Sequence, residues 1–481
     1  MTVSMSRIAT LAATLCVAAC GCAARSGSPG PGESAPLPNP DAGRSVGMKP
    51  EPRPRPTVIP VAYREAPSND RTQTPATSPA PADLPLAGRS ALTAEDAVRV
   101  VLDRNPTLAQ MRATAAAVAA RYPQVMSLDD PTATVWTAPG SAGSPNVNYA
   151  ARVEVAQKFL YPGKRGLKGD AVRAEALAAA EDVEDARLQL AESARSALAD
   201  YQLAVKATAV AGENAKLLAE FRKNAESRYK TGQGQQQDVL QADVEIARQE
   251  ERLVSLRRAR LVAVARLNTL MHMPPDVPLP PPAEAERPAP LPEAAKFREA
   301  ALGRPDVRAV VARVAAEEAT LALAAKEYKP DVELMAAYDG FWQGTDRPLQ
   351  WQVGVRTNLP VRYARRGGAV EEARAKVAQR RAELARLTDQ VSLQVQEAFE
   401  QVREADEVVK LYEIKILPAA AANVKEAQAG YTNNRVPFLN LIEAQRNAVG
   451  LRDRYYEAAA ESVRRRATLE RAVGGPLPTE P

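Results

Sequence analysis

The chain has 481 residues, of which 45% are hydrophobic, 25% charged and only 5% aromatic. It contains a single histidine, His272, and its three cysteines all lie within the first 22 residues. Histidine-based catalytic triads, multi-histidine metal centres and disulfides in the body of the chain are therefore excluded. The formal charge of +5 comes from 63 basic and 58 acidic residues, mixed along the chain without a basic block. We therefore expect no enzyme, no cofactor, no metal site and no nucleic-acid partner.

The N-terminus predicts export from the cytoplasm. Residues 1–19 place Arg7 before the apolar stretch Ile8–Ala19, which is typical of a signal peptide and too short to span a bilayer as a helix. Val17-Ala18-Ala19-Cys20 resembles the processing box of bacterial lipoproteins, and this implies a lipid on Cys20. The residue after it, Gly21, points to the outer membrane. An ordinary cleaved signal with incidental cysteines is the alternative.

Prolines divide the rest of the chain. Of the 39 prolines, 15 lie in residues 23–90 and 9 lie between Met273 and Pro292. The first stretch predicts a disordered tether over 20–91, because it cannot bury enough apolar surface to fold. The second predicts a linker over 273–292. The predicted folded body thus has two parts, 92–272 and 293–474, followed by a tail over 475–481.

These two parts repeat one pattern. Short matches recur in the same order at offsets near 200 residues. The matched pairs are Arg104 with Arg304, Pro131 with Pro330, Lys164 with Arg365, Leu198 with Phe399, Tyr201 with Val402, Tyr229 with Tyr431, Asp238 with Asn440, and Ala242 with Ala444. Their collinearity predicts two tandem repeats. Each repeat is predicted to run helix, strand, strand, long helix, helix.

The predicted strands carry mainly apolar residues at every second position. These positions are Val332, Leu334, Ala336 and Tyr338, then Trp351, Val353, Val355, Thr357 and Leu359, and in the first repeat Tyr149, Ala151, Val153 and Val155; the residues between them include Glu333, Gln352, Arg356, Arg152 and Glu154. This is typical of transmembrane barrel strands, although a half-buried strand of a soluble sheet alternates in the same way. Four strands cannot close a barrel from one chain, and open sheet edges cannot lie in lipid. If the sheet enters a membrane, several chains must contribute to it.

The predicted helices are unusually long. First helices are expected over about 93–122 and 293–328, and long ones over about 165–231 and 366–431. At 1.5 Å per residue, each long helix would extend roughly 100 Å. Apolar residues step by four, three and four, or by seven, which predicts coiled-coil packing. The chain is thus predicted to be mostly α-helical, with a small membrane β portion.

This order of elements behind a lipoprotein signal resembles the TolC-type outer-membrane efflux proteins over about 92–474. The motif that carries the resemblance is Tyr-x-x-Gly-x5-Asp-Val-Leu, which stands here as Tyr229, Gly232 and Asp238. The second copy is degraded to Tyr431, Asn434 and Asn440. Asparagine is tolerated in place of glycine because it also visits the left-handed backbone region.

The resemblance implies a homotrimer in which each chain gives four strands to one twelve-stranded outer-membrane barrel. The helices would form a periplasmic tunnel in which no chemistry occurs. A periplasmic adaptor, and through it an inner-membrane pump, would dock on the helix tips. The residues implied in docking are Tyr229, Gly232, Tyr431 and Asn434.

The resemblance also implies that polar residues just after the tips line the periplasmic constriction. The matching residues are Asp238, Gln241, Asn440 and Glu443. The alternative role of Asp238 and Asn440 is to cap helix starts. The rival function is a periplasmic coiled-coil adaptor or scaffold lipoprotein that never enters the bilayer. Such a protein is expected to show one helical hairpin and a compact β domain rather than two repeats.

Overall fold

The computed structural model describes residues 86, 88–142, 150–284, 291–339 and 350–477. Cys20, the signal, almost all of the tether, residues 285–290 of the linker and Tyr149 lie outside the described residues. The helices are α1 (Ala94–Arg104), α2 (Pro106–Ala119), α3 (Arg121–Met126), α4 (Lys164–Lys230), α5 (Gln236–Leu270), α6 (Ala294–Ala301), α7 (Pro305–Lys326), α8 (Tyr363–Leu411), α9 (Leu417–Thr432) and α10 (Phe438–Val473). The strands are β1 (Thr132–Ala138), β2 (Ala150–Phe159), β3 (Val332–Asp339) and β4 (Gln350–Thr357).

The first helix of each repeat is broken before a proline, so the single helices predicted over 93–122 and 293–328 are wrong. The side chain of Asn105 accepts a hydrogen bond from the N–H of Thr107 at 2.9 Å and so caps α2. Pro106 and Pro305 are the first residues of α2 and α7. A residue before proline is driven out of the helical region, whereas proline itself fits the first helical turn.

The long helices agree with prediction in the first repeat and differ in the second. α4 runs for 67 residues without a break, which corresponds to about 100 Å. Its counterpart is interrupted by a π-helical turn, Tyr412–Ile416, which separates α8 from α9. None of the described helices is both apolar enough and long enough to span a membrane.

Buried side chains form three clusters along the helices. The first packs α1, α4 and the end of α5, and the second packs α6 on α8 and α10. We call the third the tip cluster, because it lies where α4 meets α5 and α9 meets α10. Its buried members are Leu218, Phe221, Ala225, Ala242, Tyr431, Phe438, Leu441 and Ile442.

The described part of the linker packs against the start of the first repeat. The N–H of Leu92 donates to the carbonyl of Pro281 at 2.9 Å, and the N–H of Ala283 donates back to the carbonyl of Leu92 at 2.9 Å. Met271 and Met273 are buried in the first cluster, whereas His272 between them is exposed. These three side chains therefore do not converge on a common ligand.

The four strands form one antiparallel sheet in the order β1-β2-β3-β4, so β1 and β4 are its edges. One face is apolar and exposed, with Val353 85% and Trp351 77% accessible. The other face is polar: Arg152 pairs with Glu154 at 2.7 Å, and Arg356 pairs with Glu333 at 3.1 Å. The predicted alternation thus separates an apolar face from a charged one.

A buried lysine joins the two repeats where the sheet meets the helices. Lys164, the first residue of α4, is fully buried. Its ammonium lies 3.0 Å from Asp331 and 3.4 Å from Glu327, and it donates to the carbonyl of Lys329 at 2.9 Å. Asp331 also accepts from the N–H of Tyr161 at 2.9 Å. A buried ammonium is stable only when partnered in this way, so the pairing fixes the end of β2 to the start of β3.

Candidate functional site at the helix tips

The two helix tips have the same backbone turn. Gly232 has φ of 75° and Asn434 has φ of 59°. The N–H of Gly232 donates to the carbonyl of Tyr229 at 3.0 Å, and the N–H of Asn434 donates to the carbonyl of Tyr431 at 3.1 Å. Both residues thus occupy the left-handed region that glycine and asparagine adopt at low cost.

The two motif tyrosines lie in opposite environments. Tyr229 is 46% exposed, whereas Tyr431 is 6% exposed and belongs to the tip cluster. The ring of Tyr431 lies 5.1 Å from that of Phe438. The guanidinium of Arg228 lies 4.4 Å from the centre of the same ring and donates to the carbonyl of Tyr431. The second tip is therefore packed against the end of α4.

Tyr431 also joins its tip to the start of α5. Its hydroxyl donates to a carboxylate oxygen of Asp238 at 3.3 Å. Burial, together with the negative charge of Asp238, raises the pKa of Tyr431 to about 12, against the opposing effect of Arg228. The hydroxyl therefore stays protonated in neutral solution and acts as a donor. This bond connects the motif of one repeat to the motif of the other.

The four residues implied in the constriction differ in their contacts. Asp238 is half-buried beside Tyr431, and Gln241 is half-buried one turn later on α5. Asn440 and Glu443 are exposed on the first turns of α10. These four positions follow the two tips, as the motif spacing predicts.

The alternative role of Asp238 and Asn440 as helix caps is wrong. The N-cap residues are Gln235 for α5 and Pro437 for α10, and neither makes a capping side-chain hydrogen bond. Asp238 and Asn440 lie inside the first turn of their helices, at the third residue of each. The carboxylate of Asp238 instead accepts the hydrogen bond from Tyr431.

Ion pairs join α5 to α10 above the tips. Buried Glu245 accepts from Arg446, with one bond at 2.9 Å, and from Arg248 at 2.9 Å. The hydrogen bond from Arg446 lowers the pKa of Glu245, so this carboxylate is charged. Two turns further along, Arg252 pairs with Asp453. The motif analysis missed these residues, although opposite charges recurring every seven residues after the two motifs are a detectable signal.

A layer of buried amides lies beside these ion pairs. The amide of Asn214 donates to Gln249 at 3.0 Å, and Gln445 donates to Asn214 at 2.8 Å. Gln249 in turn donates to the carbonyl of Ala211 at 3.2 Å. A satisfied amide layer in a coiled coil fixes the register of its helices, here α4, α5 and α10.

Polar contacts at and above the tips join the two repeats. Asp238, Glu245 and Arg252 each bond to a residue of the second repeat. Within the part of the chain that the structure describes, no three His, Cys, Asp or Glu side chains are grouped so as to hold a metal. The arrangement thus suits a mechanical junction between two helix pairs.

Neither a protein-family model nor a curated protein matches the sequence. Solved structures match the fold. The outer-membrane channel OprN superposes with a TM-score of 0.68 at 21% identity, covering 79% of this chain and 90% of that one. CusC gives 0.67 at 15% identity, covering 83% and 98%. VceC from Vibrio cholerae gives 0.67 at 17% identity, covering 80% and 97%.

Identities this low establish the fold alone, and the fold is the one that the tip motif and the repeats predict. The chain has the fold of the TolC-type outer-membrane efflux channels.

Proposed function

We propose that the chain is a passive exit duct of the outer membrane, which carries substrates delivered by an inner-membrane pump and a periplasmic adaptor. The observation that carries this proposal is the likeness to solved outer-membrane channels over 79–83% of the chain. The exposed apolar face of the sheet supports it, because such a face needs lipid to cover it. The lipid expected on Cys20 would attach the chain to a membrane.

The internal repeat supports a ring of identical chains. β2 of the first repeat pairs with β3 of the second, so by the same geometry β4 would pair with β1 of a second copy. Likewise α7 packs between α4 and α8, whereas its counterpart α2 packs on α4 and buries only Leu108. A contact of this head-to-tail kind forms a ring when the rotation between neighbouring copies closes. Three copies would give the twelve strands that the family resemblance implies.

Charge supports the same arrangement of copies. α8 carries a stripe of acidic residues, in which Glu400 is paired with Arg403 at 2.8 Å, and α5 carries an exposed basic segment. The acidic residues are Glu397, Glu400, Glu404 and Glu407, and the basic ones are Arg257, Arg258 and Arg260. Cyclic symmetry places a given residue of every copy at the same height along the axis. The acidic segment of one copy would therefore meet the basic segment of the next copy if both lie at one height in a single chain. Complementary charge of this kind selects the partner surface.

Contacts within one chain show how far the acidic and the basic segment lie from the helix tips. On α10, Asp453 pairs with Arg252 of α5, and two residues later Tyr455 donates to Glu413 at 2.9 Å. The basic residues begin five positions above Arg252, and Glu407 lies six positions above Glu413. The two segments therefore lie at a similar distance from the tips.

The tips would form the periplasmic gate. Symmetry copies of Asp238 and Glu443 would make carboxylate rings that favour cations, with Gln241 and Asn440 beside them. Opening would separate the Tyr431–Asp238 and Glu245–Arg446 contacts. The turns at Tyr229, Gly232, Tyr431 and Asn434 would present the docking surface for the adaptor.

A periplasmic coiled-coil adaptor or scaffold lipoprotein is not favoured. That alternative predicts one helical hairpin and a compact β domain. The chain instead has two long helix pairs and a single four-stranded sheet with an exposed apolar face. Two of the matched solved structures, OprN and CusC, are described as channels.

Conductance in planar bilayers tests the gate. The double variant Asp238→Ala with Glu443→Ala is expected to raise the conductance of the reconstituted protein and weaken its preference for cations, because two carboxylate rings and the Tyr431 contact are lost. Glu372→Ala, which removes an exposed carboxylate on α8 far from the tips, is the matched control. Unchanged conductance and unchanged cation preference in the double variant would contradict the proposed constriction.

Heat-modified gel mobility and sedimentation of detergent-extracted protein test the duct itself. A heat-sensitive trimer in the outer-membrane fraction is expected. A monomer recovered from the soluble periplasm would end the duct hypothesis and favour the scaffold.

A further inference from the structure

The buried Lys164 site joins the first repeat to the second at one end of the sheet. The ammonium of Lys164 follows β2 and reaches three residues that directly precede β3. It lies 3.0 Å from Asp331 and 3.4 Å from Glu327, and it donates to the carbonyl of Lys329 at 2.9 Å. Because β2 pairs with β3, a cation that follows one strand here bonds to oxygens that precede the neighbouring strand.

The internal repeat provides a counterpart of each half of this site. Lys164 corresponds to Arg365, which lies in the first turn of α8 after β4. Pro330, in the middle of the acceptor segment, corresponds to Pro131, which precedes β1. The two residues before Pro131 are aspartates. The chain therefore carries a second cation after β4 and a second acidic segment before β1.

These two halves lie apart in a single chain, because β1 and β4 are the opposite edges of the sheet. Asp129, Asp130 and Arg365 are exposed. Within the described residues, none of these three side chains forms an ion pair. The first site differs sharply, since Lys164 is fully buried and the side chain of Asp331 is only 12% exposed. Each half of the second site is thus incomplete without the other.

The acidic half is held at the end of its own strand pair. The side chain of Gln157, on β2, donates to the carbonyl of Asp129 at 2.7 Å. In the second repeat, the hydroxyl of Thr357, on β4, donates to the carbonyl of Asp331 at 3.0 Å. The segment before β1 is therefore fixed to its hairpin in the same manner as the segment before β3. It lacks the cation that a further strand would bring.

The basic half is held in place by its neighbour. Arg366 donates to the carbonyl of Glu327, at the end of α7, at 2.8 Å. Adjacent residues of a helix point about 100° apart, so this contact fixes the first turn of α8 and leaves Arg365 directed elsewhere. Arg365 thus presents a positioned guanidinium beyond the free edge of β4.

From this placement we propose that Arg365 of one copy binds Asp129 and Asp130 of the next copy, in a second junction that one chain cannot form alone. The proposal rests on the proposed duct, since it names the residues that would join its copies where β4 meets β1. A guanidinium suits this position, because its fork of donors can bond two carboxylates at once. The partner is therefore a second copy of this chain, which brings the acidic half of the site.

Charge reversal tests the junction. Arg365→Glu is expected to raise the dissociation rate of the detergent-solubilised oligomer about tenfold, because loss of an interfacial charge pair acts mainly on dissociation. Asp129→Arg with Asp130→Arg is expected to have the same effect. The chain with all three substitutions restores opposite charges at every junction and is expected to dissociate at about the wild-type rate. Lys223→Glu reverses an exposed cation on α4 far from the sheet and is the control, with no change expected.

Cross-linking shows whether the contact joins two copies. Asp129→Cys and Arg365→Cys are combined with Cys22→Ser in the full-length protein, which is treated in its membrane with a short bismaleimide. Cross-linked multimers are expected on a denaturing gel. Each single cysteine variant, in the same Cys22→Ser background, is the control and is expected to remain monomeric on that gel.

Three results would overturn the junction while the wild-type oligomer, and with it the duct proposal, still stands. The first is a dissociation rate that Arg365→Glu leaves unchanged. The second is the absence of multimers after cross-linking. The third is a triple variant that dissociates as fast as Arg365→Glu, because the substitutions would then act on local structure rather than on charge. A wild-type protein that is monomeric in the membrane fraction would overturn both the junction and the duct.

Discussion

The two helix tips share a backbone turn and differ in what their side chains do. The first tip matches the family motif more fully, yet its tyrosine, Tyr229, is exposed. The second tip has asparagine in place of both the glycine and the aspartate of the motif. Its tyrosine, Tyr431, is nevertheless buried and bonds to Arg228 at the end of α4 and to Asp238 at the start of α5. Agreement with the motif therefore reports the turn, whereas burial and contacts identify which tip would close the proposed gate.

Replacing each motif tyrosine by alanine is expected to give the largest difference in stability between the two tips. Tyr431→Ala removes a buried aromatic side chain and its bond to Asp238, at an expected cost of about 3–5 kcal/mol to the packing of the second tip. Tyr229→Ala removes a half-exposed side chain and is expected to change stability by roughly 0.5 kcal/mol or less. Amide exchange over the tip turns of the detergent-solubilised protein measures both. Equal loss of protection in the two variants would mean that the tips are equivalent, contrary to the comparison.

The ion pair above the tips is expected to have the next largest effect. Glu245→Gln leaves the guanidinium of Arg446 without its carboxylate; because Arg446 is 45% exposed and can be hydrated, we expect a loss of about 1–2 kcal/mol. Amide hydrogen exchange over α10 measures this loss of stability. Glu372→Gln, which breaks an exposed pair with Lys376, is the matched control and is expected to show no measurable change.

The pH dependence of this pair has a definite sign. Pairing with Arg446 lowers the pKa of Glu245 below the ordinary range of a glutamate. Its contribution to closure is therefore fully present above that range and is lost as the pH falls through the lowered pKa. We expect open-channel conductance to rise as the pH falls below the ordinary range of a glutamate, and to rise less in Glu245→Gln. A rise of the same size in both proteins would assign the acid response to other carboxylates.

The sequence predicts the elements well because their patterns are local. A proline-free run rich in alanine, glutamate and arginine indicates α4, and period-two alternation indicates β3 and β4. Pro106 and Pro305 mark the breaks in the first helices, since proline disfavours helix in the preceding residue. The predicted continuous first helices are wrong at these two prolines.

The roles of the tip residues could not be predicted in the same way. Tyr229 and Tyr431 occupy one motif position, and only the packing of α9 and α10 against α4 decides which of them is buried. Lys164 likewise resembles the surface cations that follow it in the sequence, until β3 returns from the second repeat to place Asp331 beside it. Such contacts join residues 160 or more positions apart, which no local pattern records.

Substitutions of the turn residues Gly232 and Asn434 are expected to have the smallest effects on stability, and they compare the two turns directly. Gly232→Ala places a side chain at φ of 75°, where it meets no neighbouring atom within 4 Å, so its cost is conformational only, about 1–2 kcal/mol. Asparagine in the left-handed region costs less free energy than alanine does. Asn434→Gly removes this smaller cost and is expected to stabilise the second turn by roughly 0.5 kcal/mol or less. Gly232→Asn is expected to be tolerated, because it copies the second tip onto the first. Amide exchange at Thr231–Gln233 and Asn433–Arg435 resolves the two turns separately. If Gly232→Asn were as damaging as Gly232→Ala, the first turn would demand glycine for more than its backbone conformation, and a partner that contacts the backbone at Gly232 would be the physical reason for that demand.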